Sequence, residues 1–158
     1  MAAQVAPLRE QMAAEAEKNL VLHKRMLRAT AWSGDAGMVH ALLEHTNMPV
    51  DYPANPHNGA TLLDVASGAG HLVVVEQLID LGADVNTVRT AAVAGVTPLY
   101  SASHGGHAEV VEVLLGQGAD PDKALTDRGG GGETPLRVAM RKGHQAIVDI
   151  LSRHAAGN

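Results

Sequence analysis

Nine histidines stand in this chain of 158 residues, and three of them, His71, His107 and His144, recur after a glycine in matching local sequence. Such recurrence raises metal chemistry first, because neutral imidazole is the commonest metal ligand. Zinc holds each ligand at about 2 Å, whereas packed helices lie about 8–10 Å apart. If the three histidines belong to stacked copies of one unit, a single ion cannot bridge them. Bonding of each ring to backbone groups at a turn is then the expected role. His104 with His107, and His40 with Glu44 at i, i+4 spacing, offer two ligands each, and two without a third make a weak site. Asp120, Asp122 and Asp127 miss the calcium-loop spacing and lack its closing glutamate. No metal is expected.

Phosphate chemistry is raised by "DRGGGGETPLRVAM", residues 127–140, where four glycines precede a helix start. Glycine-rich loops feeding helices can cradle phosphates. A Walker loop places lysine after its last glycine, but Glu133, Thr134 and Pro135 follow here. Glu133 repels a phosphate and proline removes a donor amide. The run reads as a flexible hinge in a loop. Nucleophilic catalysis finds no cysteine and no G-x-S-x-G elbow. The expectation is a protein without enzymatic activity and without a cofactor.

The elements that position these residues are read from composition and repeats. Hydrophobic residues make up 46%, yet there is one Trp, two Tyr and no Phe, so the core is built from Ala, Val and Leu. Small side chains favour thin stacked layers. "GATLLDVASGAGHLVVVEQLIDLGADVN" from Gly59, "GVTPLYSASHGGHAEVVEVLLGQGADPD" from Gly95 and "GETPLRVAMRKGHQAIVDILSRHAA" from Gly132 align with one another. A degenerate copy, "MLRATAWSGDAGMVHALLEHTNMPVD", precedes them. Gly34, Gly70, Gly106 and Gly143 correspond, at spacings of 36, 36 and 37 residues. Thr-Pro, at 97–98 and 134–135, suits a helix start, since the hydroxyl caps amides and proline fits the first helical position. After "GH" the apolar residues Val110, Val111, Val113 and Leu114 give a second helix one broad buried face. The glycine of "GAD" at 82–84 and 118–120 supplies a left-handed stop.

Two short antiparallel helices and a turn, with "TPL" and "GH…GAD" in this order, resemble the ankyrin repeat, whose period is about 33 and whose signature is T-P-L-H-x-A. The signature survives as "TLLDVA" at 61–66, "TPLYSA" at 97–102 and "TPLRVA" at 134–139. Its histidine is replaced by Arg28, Asp64, Tyr100 and Arg137, so the bond normally made by that ring is not assumed. From Asp51 to Thr61, Asn86 to Thr97 and Asp122 to Thr134 the intervals grow as ten, eleven and twelve residues, which places the excess in the loops. The resemblance implies that these loops are β-hairpin-like fingers, with residues 129–132 the tail of an enlarged third finger. It implies an all-α ankyrin-repeat solenoid at residues 24–156, with repeats at about 24–58, 59–94, 95–131 and 132–156. A helical cap, residues 1–23, is expected before it, with its helix starting near Pro7.

The same resemblance implies protein recognition through finger tips and through exposed first-helix positions that line a concave groove. Matching the glycines places Trp32 and Ser33, Gly68 and Ala69, His104 and Gly105, and Arg141 and Lys142 in that groove. The candidate groove residues are therefore Trp32, Ser33, Tyr100, His104, Arg141 and Lys142. The candidate finger residues are His57, Asn58, Arg89, Thr90, Asp127 and Arg128. Trp32 has a competing role, packing on a cap helix whose face holds Leu8, Met12 and Ala16, and Arg141 and Lys142 have one as solubilising charge on a terminal repeat. Asn86, in "GADVN", occupies the place where ankyrin asparagines can be hydroxylated.

Residues 35–127 hold twelve acids against two bases, between ends of net +2 and +3. Nucleic acid wants a continuous basic face, so the expected partner is another protein, with a basic surface patch, and neither nucleic acid nor membrane. The chain has no apolar run of membrane-spanning length, and its start lacks a signal core. A cytoplasmic or nuclear location and a monomer when unbound are expected. The function expected is a non-catalytic interaction module, an adaptor, scaffold or regulatory subunit. One alternative is a stoichiometric enzyme inhibitor, as among the small four-repeat ankyrin proteins that inhibit cyclin-dependent kinases. Others are a histidine-based regulator that binds a metal or small ligand, and a domain of a larger chain, since the ending "SRHAAGN" suits either a complete protein or a fragment.

Overall fold

A computed structural model gives the fold; it describes residues 2–55, 57–89, 95–123, 125 and 132–157, with side chains from residue 15 onward except 16 and 157. Eight helices are present among the described residues, and no strand: α1 Ala2–Ser33, α2 Ala36–Thr46, α3 Leu62–Ala69, α4 Leu72–Asp80, α5 Pro98–Gly105, α6 Ala108–Gly116, α7 Pro135–Lys142 and α8 Gln145–Gly157. They form two layers. α1, α3, α5 and α7 pack side by side in an inner layer, and α2, α4, α6 and α8 do so in an outer one.

Local chemistry sets the helix ends. Thr61, Thr97 and Thr134 turn their hydroxyls to accept from the amides of Asp64, Tyr100 and Arg137 at 3.3, 3.1 and 3.3 Å. Pro98 and Pro135 stand first in α5 and α7, where a missing N–H costs nothing. Asp35 does the capping for α2, accepting from the Met38 amide at 2.9 Å. The inner helices end where glycine turns left-handed, as at Gly106 with φ 85°.

The turn histidines use that glycine. Nε2 of His71, His107 and His144 donates to the carbonyl oxygens of Trp32, Gly68 and His104 at 2.7, 3.1 and 3.3 Å. Each ring thus ties one inner helix to the next unit. The rings lie so close that a Cβ on Gly34 would stand 2.6 Å from His71, and one on Gly106 2.8 Å from His144.

Packing follows the small side chains. Ala66, Ala102 and Ala139, at equivalent places on successive inner helices, are wholly buried and let the helices approach closely. Val74, Val75 and Leu78 of α4 and Val110, Val111 and Leu114 of α6 are likewise buried, each worth about 1.5–3 kcal/mol. Val113 is only half-buried, and Leu115 takes its place against the core. α6 has neighbours on both sides in its layer as well as α5 beneath, so its buried face reaches one residue further round than the four-residue stripe.

α1 departs from a separate cap. The N-terminal segment and the first inner helix are one continuous helix, so residue 24 lies within it, whereas residues 59, 95 and 132 lie in loops. A continuous helix cannot fold back over its own C-terminal turn, and Trp32 stays 65% exposed. Its flank at Leu20, Val21 and Leu22 is also exposed. No helix among the described residues is long and apolar enough to cross a membrane.

The finger bases are closed by backbone bonds of hairpin type: Asn55 N to Ala60 O at 3.1 Å with Gly59 N to Asn55 O at 2.8 Å, Arg89 N to Val96 O at 3.0 Å and Leu125 N to Glu133 O at 3.0 Å. Thr90, Asp127 and Arg128, together with the glycines at 129–131, lie outside the described residues.

Candidate functional site

The inner helices and the finger bases enclose a cleft of about 820 Å³. Its α1 wall is made by Arg25, Arg28, Ala29 and Trp32, which share one helix face because they stand at i, i+3, i+4 and i+7. The opposite wall is Tyr100, Ser101 and His104 of α5, and Asp64, Val65 and Gly68 of α3 form the floor. Fingers contribute Asn55, Asn58 and Arg89. Of the residues expected in a recognition surface, Trp32, Tyr100, His104, Asn58 and Arg89 thus converge on one cleft. Ser33, His57, Arg141 and Lys142 are exposed but do not line it.

Two signature-histidine substitutions organise its polar chemistry. Asp64 is 2% exposed. Its carboxylate accepts from the Arg89 guanidinium through one oxygen and from the Ser101 hydroxyl through the other. A carboxylate buried this deeply would be costly alone; here it pins the second finger and the next inner helix together.

Tyr100 fills the equivalent place in the following unit. Its hydroxyl donates to Glu133 Oε2 at 2.7 Å, and Glu133 also receives Arg141 Nε at 2.7 Å and Nη2 at 3.0 Å. The Arg141 pairing first, then the Tyr100 bond, pull the Glu133 pKa down to about 2. Burial, reinforced by the carboxylate of Glu133, pushes the Tyr100 phenol up to about 12. His104 stacks on the Tyr100 ring with centroids 6.3 Å apart. Its burial, and then the charges of Lys142 and Arg141, hold its pKa below the ordinary value and favour the neutral ring. The sequence pattern marked the lost histidines and Arg141, but not Glu133 as partner of both Tyr100 and Arg141. The usable signal was a signature-histidine position occupied by another polar residue, with a carboxylate or cation in the neighbouring unit.

Asn86 acts between turns. Its Nδ2 donates to Gly118 O at 3.0 Å and its Oδ1 accepts from Asp120 N at 2.8 Å. Asp51 makes the corresponding link in the preceding unit, accepting from Asp84 N at 3.1 Å, and burial raises its pKa. His40 and Glu44 pair on α2 at 3.3 Å. His107 of the His104–His107 candidate directs its Nε2 to the Gly68 carbonyl.

Charge divides by layer. From residue 24 onward the inner helices carry six bases, Lys24, Arg25, Arg28, Arg137, Arg141 and Lys142, against the single acid Asp64. The outer helices carry six acids, Glu44, Glu76, Asp80, Glu109, Glu112 and Asp149, against the single base Arg153. Of the twelve acids in the acidic middle of the sequence, five stand on outer helices and one, Asp64, on an inner helix. The basic-partner expectation suits the outer helices, while the cleft has the opposite sign.

Comparison with known families agrees with this architecture. A family model described as ankyrin repeats (3 copies) matches residues 88–158, and one for the ankyrin repeat matches residues 58–90. The chain belongs to the ankyrin repeat family, whose repeats generally mediate protein–protein interaction. Comparison with curated proteins gives no match.

Proposed function

We propose that the protein is a non-catalytic recognition module that binds a partner protein in the cleft between its inner helices and fingers. The observation that carries this reading is Trp32: the only tryptophan in the chain stands 65% exposed in a cleft of about 820 Å³. A large aromatic in a concave site is the type of anchor that dominates interface energetics. Tyr100 and His104 face it across the cleft, held by hydrogen bonding and stacking so that little is lost in ordering them on binding.

Affinity capture from a native lysate, comparing wild type with Trp32→Ala/His104→Ala at matched Tm, tests the reading. A partner captured by wild type and lost by the variant supports it; capture that is unchanged moves binding to the finger tips or the outer layer. An adaptor and a stoichiometric inhibitor would use the same surface. Assaying the captured partner's own activity with and without the protein separates the two.

A further inference from the structure

Within the binding role proposed above, the chemistry of the cleft narrows the partner. We infer that the cleft takes an extended acidic segment of a partner protein, with an apolar or aromatic side chain of that segment resting on Trp32. This rests on the cleft being the binding site.

Three observations converge. First, Arg25 and Arg28 share a helix face with Trp32 and line the cleft, and neither forms an ion pair among the described residues. Second, the polar groups left unengaged there are mainly donors. Asn55 and Asn58 spend their side-chain oxygens on the amides of His57 and Ala60, which leaves their Nδ2 groups as donors. Among the described residues the one carboxylate in the lining, Asp64, has both oxygens engaged by Arg89 and Ser101. A site rich in donors and poor in open acceptors matches carboxylates and peptide carbonyls. Third, from residue 24 onward the helix-borne acids lie on the outer helices except for Asp64, while the inner helices carry six bases, so the helix charges steer an acidic chain to the inner layer and away from the outer one.

A polypeptide fits better than a nucleic acid. The cationic strip is short and stands beside apolar wall at Ala29, Val65 and Val96, whereas a nucleic-acid backbone wants a continuous basic track. An extended peptide alternates its side chains, and so can set an acid toward Arg25 or Arg28 while its next inward side chain meets Trp32.

Selection of a displayed random-peptide library on the immobilised full chain tests the inference. Wild type, Arg25→Glu/Arg28→Glu and Trp32→Ala are compared after their melting curves are matched, with Arg25→Gln/Arg28→Gln as a milder second variant. The expected result is peptides enriched in Asp and Glu around an apolar or aromatic residue. In fluorescence anisotropy, changing their acids to amides, or Arg25 and Arg28 to Glu, should weaken binding on the order of tenfold. Peptides that need Trp32 yet show no acid preference would overturn the inference while leaving the cleft as the binding site. Failure to select any peptide, or selected peptides indifferent to Trp32→Ala, would overturn the cleft reading itself. A single-stranded oligonucleotide that displaces the peptides at equal or lower concentration would overturn the peptide assignment in favour of nucleic acid.

Discussion

At the scale of single residues, the lost signature histidines have been replaced by different devices that serve the same joint. Asp64 binds a finger arginine and a serine of the next inner helix, and Tyr100 reaches a glutamate that an arginine also holds. Removing one partner of a buried charge is worse than removing both, because the remaining charge loses its compensation. Arg89→Ala is accordingly expected to cost about 3 kcal/mol in urea unfolding, and Arg89→Ala/Asp64→Ala measurably less; equal costs would show that the pair does not act as a unit. The Glu133 network gives a pH signature. Glu133 has its native pKa lowered from 4.5 to about 2, so folding favours the ionised form. Its contribution is complete above about pH 4.5 and is lost as pH falls toward about 2. Tyr100 runs oppositely: its pKa is raised from 10.0 to about 12, so its share is complete below pH 10.0 and lost toward pH 12. Ultraviolet titration should find one of the two tyrosines ionising near pH 12, and Glu133→Gln should bring that step down.

At the scale of elements, the joint between units is a ring laid on a glycine. Gly106 has φ 85°, and an added Cβ would stand 2.8 Å from His144. Gly106→Ala therefore meets both a left-handed backbone cost of about 1–2 kcal/mol and a clash with the ring. A loss of at least about 2 kcal/mol in stability is expected, whereas Gly116→Ala, in the last turn of α6 with open space around it, should be neutral or stabilising by up to about 1 kcal/mol. His107→Ala should loosen the contact between α3 and α5 by losing its bond to the Gly68 carbonyl. Hydrogen exchange should report this as faster exchange in both helices, and an effect spread evenly over the chain would argue against a local joint. Pairs such as Thr97 with Pro98, and the stop glycines, were legible in sequence because capping and left-handed turns depend on one or two adjacent residues. The continuity of α1 was masked, because Pro7 and the start of the first unit both look like boundaries, although residues 8–33 hold neither glycine nor proline to break the helix.

At the scale of the whole molecule, a stack in which each unit touches only its neighbours has stability that is graded along its length. Amides in α3 and α5, flanked on both sides, should exchange most slowly, and those before Leu20 in α1 fastest, since residues 15 and 17–22 of that helix are exposed; uniform protection would contradict a nearest-neighbour stack. The sequence by itself determined the repeat, its helices, its caps and its turns, because each is a local pattern recurring at a near-constant interval. It also placed Trp32, Tyr100, His104, Asn58 and Arg89 among the candidates that the folded chain gathers in one cleft. Only the tertiary structure decided which polar residues meet, as with Asp64 and Arg89 or Tyr100 and Glu133, since 25 and 33 residues of chain separate those partners. It alone decided the sign of each face too. Counting charge along the chain mixes the two helices of every unit, whereas folding sends alternate helices to opposite layers and so separates bases from acids.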